Sequence, residues 1–102
     1  MTDISPLDRR TQRATVLGLL SGHWGILLFG LFAVGAETGW HRHAYDYVVV
    51  CLTPGKLLAE TKDGNVETPL HAGQAYARPL GVEHNIVNTS EDEFAFVEVE
   101  LK

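Results

Sequence analysis

Residues typical of turns divide this chain into short segments, and their spacing limits the folds that it can adopt. Turn signals such as Thr53-Pro54-Gly55, Asp63-Gly64 and Pro79-Leu80-Gly81 follow one another at intervals of about eight to twelve residues. The segments between them are rich in valine, leucine and aromatic residues, and none shows the pattern of a long helix. The chain therefore predicts about eight or nine short strands, arranged as an all-β sandwich or barrel.

Length, charge and cysteine content narrow the class of protein further. With 102 residues the chain has room for one hydrophobic core, so we predict a flexible or short helical tail over residues 1–13 and one barrel domain over residues 14–102. From Ala14 onward eleven acidic residues outnumber five basic ones, which argues against a nucleic-acid partner. The single cysteine, Cys51, excludes an internal disulfide and fits a reducing compartment, so we expect a cytoplasmic protein.

One long apolar stretch, Thr15–Gly35, carries no formal charge and could span a bilayer by its length. Three arginines precede it, so it also resembles a secretory signal peptide. The turn signal Ser21-Gly22-His23 interrupts it and favours two strands, Thr15–Leu20 and Trp24–Val34. We therefore expect no membrane segment. A membrane-tethered domain is the alternative, and solubility of the full-length chain without detergent distinguishes the two.

The second of these strands is apolar on both faces between Ile26 and Phe32. A strand with one face in water would alternate apolar and polar residues, so its outer face needs a cover. A second copy of the chain is the simplest cover, and we therefore predict a homodimer.

Three histidines form the pattern with the most specific chemistry. His41 and His43 begin the β-forming segment that runs to Leu52, and alternate residues of a strand point to the same face. His84 enters a second apolar segment 41 residues after His43. Two histidines on one strand and one on a neighbour predict an open three-nitrogen metal site, which Zn, Fe, Ni, Mn, Co or Cu could occupy. The alternative is a histidine cluster that holds no metal.

The same residues resemble the two sequence motifs of the cupins. Residues 73–88 match the second motif, Gly-x5-Pro-x-Gly-x2-His-x3-Asn, without a departure. The first motif is His-x-His, three or four residues, Glu, six residues and Gly. His41 and His43 match it, whereas Tyr47 or Val48 stands at the glutamate position and Gly55 comes a little later than the motif's glycine. The chain is therefore identified as a small single-domain cupin of the cupin-2 type, and it is similar to the subgroup associated with β-alanine degradation.

This resemblance implies a double-stranded β-helix, or jelly-roll barrel, with a divalent metal near one mouth. Carried over position by position, it implies His41, His43 and His84 as the ligands. It leaves Tyr47 where a fourth ligand, a glutamate, would stand.

Three more side chains are candidates for the chemistry of such a site. Tyr47 is expected to orient a metal-bound water or a substrate oxygen, because a phenol is a weak ligand at neutral pH. Glu98 alternates with Phe94 and Phe96, so it is a candidate buried acid or base if that face lines the barrel. Arg78 precedes the turn at the expected mouth, where it would bind a substrate carboxylate; the alternative is a surface arginine.

These features predict a metal-binding cupin whose ligand is a small polar metabolite, with carboxylates among the candidates. It would act as a metal-dependent dioxygenase or isomerase. The alternative is a non-catalytic binding or accessory protein in a catabolic pathway.

Overall fold

The structure, a computed structural model, describes residues 12–102, and within this range the chain forms nine β-strands and no helix. The predicted tail lies almost wholly outside the described residues. The strands are β1 (Thr15–Gly22), β2 (Gly25–Phe32), β3 (His41–Arg42), β4 (Asp46–Cys51), β5 (Gly55–Thr61), β6 (Gly64–Leu70), β7 (Ala75–Arg78), β8 (Glu83–Asn88) and β9 (Phe94–Leu101).

The strands form two antiparallel sheets. One has the order β1-β2-β9-β4-β7 and the other the order β3-β8-β5-β6. Strands that are adjacent in space are mostly distant in sequence, as in a jelly roll, and the two sheets enclose a common core. The predicted all-β, double-stranded β-helix fold is confirmed.

The uncharged N-terminal stretch forms an antiparallel hairpin, since β1 pairs with β2 from Thr15 to Gly22, with a shift of register at Leu19. The division of this stretch into two strands is therefore confirmed. In the part of the chain that the structure describes, no helix is long and apolar enough to cross a membrane.

Strand register separates the inner from the outer face of the larger sheet. Directly paired residues of antiparallel strands point to the same side, so Leu28, Glu98, Val49 and Tyr76 form one inward row across β2, β9, β4 and β7. The next row towards one end of the barrel contains Ile26, Glu100, Tyr47 and Arg78. We call this end the mouth.

Aromatic side chains and a buried amide fill the opposite end. Phe32 packs against Phe94 and Phe96, with ring centroids 6.4 and 5.6 Å apart. Gly30 lies under the Phe96 ring, where a Cβ atom would collide with it. Asn88, the last residue of the second cupin-like motif, is 1% exposed and donates to the carbonyls of Phe32, Ala33 and Asp92. Asn88 therefore links the chain after β2 to the turn before β9 at the end opposite the mouth, and it does not contribute to the mouth.

Candidate metal centre

Strand pairing and two backbone bonds bring the three histidines together. His41 on β3 lies directly opposite His84 on β8. His43 follows β3, and its backbone N–H donates to the Val82 carbonyl over 2.9 Å, while the Gly81 N–H donates to the His43 carbonyl over 2.8 Å. The turn that leads into β8 is thereby fixed to the backbone of the first motif.

The three imidazoles converge through their Nε2 atoms. Each pair, His41–His43, His43–His84 and His84–His41, is separated by 3.1 Å. Metal–nitrogen bonds of about 2.05 Å require nitrogens about 2.9 Å apart in octahedral and about 3.3 Å apart in tetrahedral geometry. The observed separation of 3.1 Å lies between these two values. The three nitrogens could therefore bind one side of a first-row divalent cation and leave its remaining coordination positions open.

Burial keeps the imidazoles of His43 and His84 in the form that can bind a metal. Desolvation, reinforced by the neighbouring His41, lowers the pKa of His43 to about 4. Desolvation, followed by the charges of His41, His43 and Arg78, lowers the pKa of His84 to about 4. Both rings are therefore neutral at physiological pH, as ligation requires.

The structure differs from the expected single strand over His41–Leu52. The strand is interrupted after Arg42, and its two parts, β3 and β4, belong to different sheets. Alternation along a single strand therefore does not relate His43 to Tyr47, because the break lies between them. The two residues still meet, because the chain passes from one sheet to the other at the mouth.

Tyr47 packs against a histidine ring and is 3% exposed. Its ring stacks on His43 with centroids 3.7 Å apart and an angle of 15° between the planes. Burial and the nearby Glu98 raise its pKa, which keeps the phenol protonated. The tyrosine thus supports the His43 ring and presents a neutral hydroxyl.

Glu98 is buried one row further into the barrel than Tyr47. Its residue exposure is 9%, and one nitrogen of His43 lies within 4.8 Å of carboxylate oxygens of Glu98 and Glu100. Burial, a hydrogen bond with Glu100 and the charge of Glu100 raise the pKa of Glu98 to about 8. The side chain is therefore largely a neutral acid at pH 7.

A cavity of about 180 Å³ lies beside the histidines. Its polar lining includes Arg78, Tyr76 and Glu98, and its apolar lining includes Val49 and Ile86. The Arg78 guanidinium lies over the Tyr76 ring, 4.8 Å from the centroid, and donates to the Ala77 carbonyl. The structure thus brings Tyr47, Glu98 and Arg78 around one cavity with the histidines.

Several residues at the site were not predicted. Tyr76 and Glu100 could have been found, because each lies two positions from a candidate residue on the same strand and so shares its face. Two other residues carried no pattern in the sequence: Thr38, which lies in the loop before His41 and contacts its ring, and Asn85, which contacts that loop.

Comparison with known proteins identifies the family of this barrel. The family model of the cupin-2 domain, described as a cupin domain, matches residues 29–100. The chain belongs to the cupin-2 family. It is 62% identical over 71 residues to the beta-alanine degradation protein BauB of Pseudomonas aeruginosa strain PAO1, a match that covers 70% of this chain and 75% of that protein.

Solved structures show the same barrel. A cupin domain from Bordetella pertussis Tohama I superposes with a TM-score of 0.86 at 46% identity, over 89% of this chain and 95% of that one. A cupin-2 domain protein from Shewanella frigidimarina gives a TM-score of 0.62 at 25% identity, over 89% and 83% of the two chains. The resemblance inferred from the two motifs is confirmed.

Proposed function

We propose that this cupin binds one divalent transition metal through His41, His43 and His84 and uses the open side of that metal to bind a small carboxylate. The observation that carries the proposal is the convergence of three Nε2 atoms within 3.1 Å of one another. Three neutral imidazoles accept Zn, Fe, Ni, Mn, Co or Cu, so the donor set leaves the identity of the metal open.

Charge and size support a carboxylate ligand. A divalent ion held by neutral imidazoles keeps its full charge, and the Arg78 guanidinium at the same cavity adds another positive charge. The cavity, about 180 Å³, is smaller than the 300–1,000 Å³ or so typical of drug-sized ligands. The relative BauB is named for β-alanine degradation, and a carboxylic acid of the size of β-alanine suits a cavity this small.

The neighbouring side chains give the site its own chemistry. Arg78 would hold the ligand carboxylate, and the Tyr47 hydroxyl would orient a ligand oxygen. Glu98, neutral at pH 7, would donate a proton or a hydrogen bond to the ligand and accept one above pH 8 or so. The metal would supply Lewis acidity and, if it is redox-active, electron transfer. These groups suit an isomerase or a dioxygenase.

A non-catalytic role is the second candidate, because a cavity with an arginine, a metal and hydrogen-bond donors also describes a receptor. Oxygen uptake or conversion of a bound carboxylate distinguishes an enzyme from a binding or accessory protein in a catabolic pathway.

We place the protein in the cytoplasm on the basis of its single cysteine, which is buried.

We also propose that the protein is a homodimer, covered at the outer face of the larger sheet. The outward row Leu17–Phe29–Val97–Val50 crosses four strands and is wholly apolar, and so is its neighbour Leu20–Leu27–Val99–Val48. The sheet also ends in the exposed edge strand β1. The backbone N–H and C=O groups along the outer edge of such a strand can form hydrogen bonds with a strand of another chain. A second copy offers a face of the same shape and chemistry, and isologous contact of this kind closes as a dimer.

The metal and ligand proposals are tested together on purified protein. We expect close to one first-row divalent metal per chain by elemental analysis, and binding of short carboxylates by calorimetry that is weakened about tenfold or more in Arg78→Met. Arg42→Met, which alters another exposed arginine, is the matched control and should bind normally. Absence of metal, together with a melting temperature unchanged by added Zn²⁺, Ni²⁺ or Fe²⁺, would refute the site.

A further inference from the structure

One imidazole of the triangle has its second nitrogen engaged outside the cavity. The Nδ1 atom of His41 lies 2.8 Å from the Gly39 carbonyl oxygen and 3.2 Å from the Thr38 hydroxyl. Because a carbonyl can only accept, this contact places the proton of neutral His41 on Nδ1. The Nε2 lone pair is then free to point into the triangle.

The Gly39 carbonyl is in turn held by its own peptide. Gly39 has φ +86°, a left-handed conformation that favours glycine, and its N–H donates to Asn85 Oδ1 over 2.8 Å. Thr38 reinforces this arrangement, since its hydroxyl donates to the Gly39 carbonyl over 2.9 Å and accepts from the Ile86 N–H over 3.1 Å. The loop before His41 is therefore fixed to β8.

Asn85 links this loop to a third strand. Its Nδ2 group donates to Glu60 Oε1 on β5 over 2.7 Å. Only one orientation of the amide satisfies both neighbours, because its oxygen must accept from the Gly39 N–H and its nitrogen must donate to the carboxylate. Asn85 is 8% exposed, so a wrongly oriented amide would bury polar groups without partners.

We propose that Asn85, oriented by Glu60, is a positioning residue that sets the tautomer and the direction of His41 through the Gly39 peptide. It contacts neither the cavity nor the triangle and acts only through the loop. The effect on metal affinity rests on the proposed function, whereas the effect on the His41 tautomer does not.

The hydrogen bond between Asn85 and Glu60 is tested by exchanging the amide and the carboxylate between the two positions. Asn85→Asp keeps the oxygen for Gly39 but places a carboxylate against the Glu60 carboxylate. Glu60→Gln alone keeps an acceptor for Asn85. When both changes are combined, the amide introduced at position 60 can donate to the carboxylate introduced at position 85 and restore the bond. Asn65→Asp is the matched control, because Asn65 is exposed on β6 directly opposite Glu60. It adds the same charge beside Glu60 without altering the contact of Asn85 with Gly39.

We expect Asn85→Asp to weaken metal binding by about 10–100-fold, as is usual for residues that orient a ligand. Glu60→Gln and Asn65→Asp should stay within about threefold of the wild type, and the double variant should recover most of the loss. In metal-free protein, nitrogen-15 NMR should show the Nδ1–H tautomer of His41 in the wild type and the double variant, and a mixture of tautomers in Asn85→Asp.

Two results would overturn the proposal. One is an unchanged His41 tautomer together with unchanged affinity in Asn85→Asp. The other is a double variant that remains as weak as Asn85→Asp, which would show that the bond to Glu60 does not orient the amide. If the wild type binds no metal but Asn85→Asp still alters the His41 tautomer, the metal site is refuted and the positioning role is supported.

Discussion

The mouth of the barrel and the β1–β2 hairpin depart from the usual distribution of side chains in opposite directions. At the mouth, His43 and Glu98 are only 8% and 9% exposed, although both are ionisable. On the hairpin, Leu17 and Leu20 are 53% and 58% exposed, although both are large and apolar. Buried ionisable groups and exposed leucines both cost stability in an isolated chain.

Each departure supports one of the two binding proposals. Three converging lone pairs repel one another and are satisfied by a cation, whereas an exposed apolar strand is satisfied by another apolar surface. On the two proposals, the mouth should respond to metal ions and to pH, and the hairpin should respond to protein concentration. Perturbations of one region should leave the properties of the other unchanged.

The largest effect is expected at the hairpin. Leu17→Asp places a charge in the proposed interface, and loss of a buried leucine contact with burial of an unpaired charge should cost about 3–5 kcal/mol of dimer stability. Light scattering at micromolar concentration should show a dimer for the wild type and a monomer for the variant. Because Leu17 is already exposed, the fold of the single chain should survive.

Val66→Asp is the matched control for this change, since Val66 is 61% exposed on β6 of the other sheet. It should remain a dimer. Metal binding should be equal in both variants. A clean wild-type monomer at these concentrations would contradict the proposed cover.

The second effect is the pH dependence of stability in metal-free protein. The pKa values of His43 and His84 are lowered from 6.5 to about 4, so the unfolded chain binds more protons and stability falls as the pH drops from about 6.5 towards 4. The pKa of Glu98 is raised from 4.5 to about 8, so the folded chain binds more protons and stability falls as the pH rises from about 4.5 towards 8. Each group contributes at most about 1.4 kcal/mol per pH unit.

The two histidines outweigh Glu98 below pH 6.5 or so, and Glu98 acts alone above it, so these groups together give greatest stability near pH 6.5. Chemical denaturation at several pH values should show this maximum. Glu98→Gln should remove the decline between about pH 6.5 and 8, and Leu17→Asp should leave the shape of the profile unchanged. An unaltered decline in Glu98→Gln would show that another group causes it.

The sequence predicted the two regions unequally. The histidine motif singled out His41, His43 and His84, whereas alternation on β9 left open whether the face that carries Glu98 lines the barrel. The break between β3 and β4 was missed, because a run of β-forming residues does not show where the chain passes from one sheet to the other.

The support of His41 was missed for a different physical reason. The bonds that link Gly39 to Asn85 and Asn85 to Glu60 join residues 46 and 25 positions apart. Threonine, asparagine and glutamate are common on exposed β-strands and turns, so nothing marks these members of the network before the chain folds. Motifs report the atoms that a ligand touches better than those that orient them.

The smallest effect is expected from Tyr47→Glu, which tests whether the mouth selects its metal by the residue at the glutamate position of the cupin motif. Tyr47 stacks on His43, so a shorter acid at this position removes that packing and adds a carboxylate near Glu98. Two acids in one buried site repel each other, which favours a cation that can neutralise the charge. A hard oxygen donor suits Mn²⁺ and Fe²⁺ better than three imidazoles alone do.

We therefore expect Tyr47→Glu to gain Mn²⁺ affinity relative to Zn²⁺ by about tenfold, or about 1.4 kcal/mol. Tyr47→Phe, which keeps the stacked ring, should retain the wild-type order of metals. Competitive metal titrations of the three proteins measure this directly, and an identical order in all three would show that residue 47 does not reach the metal.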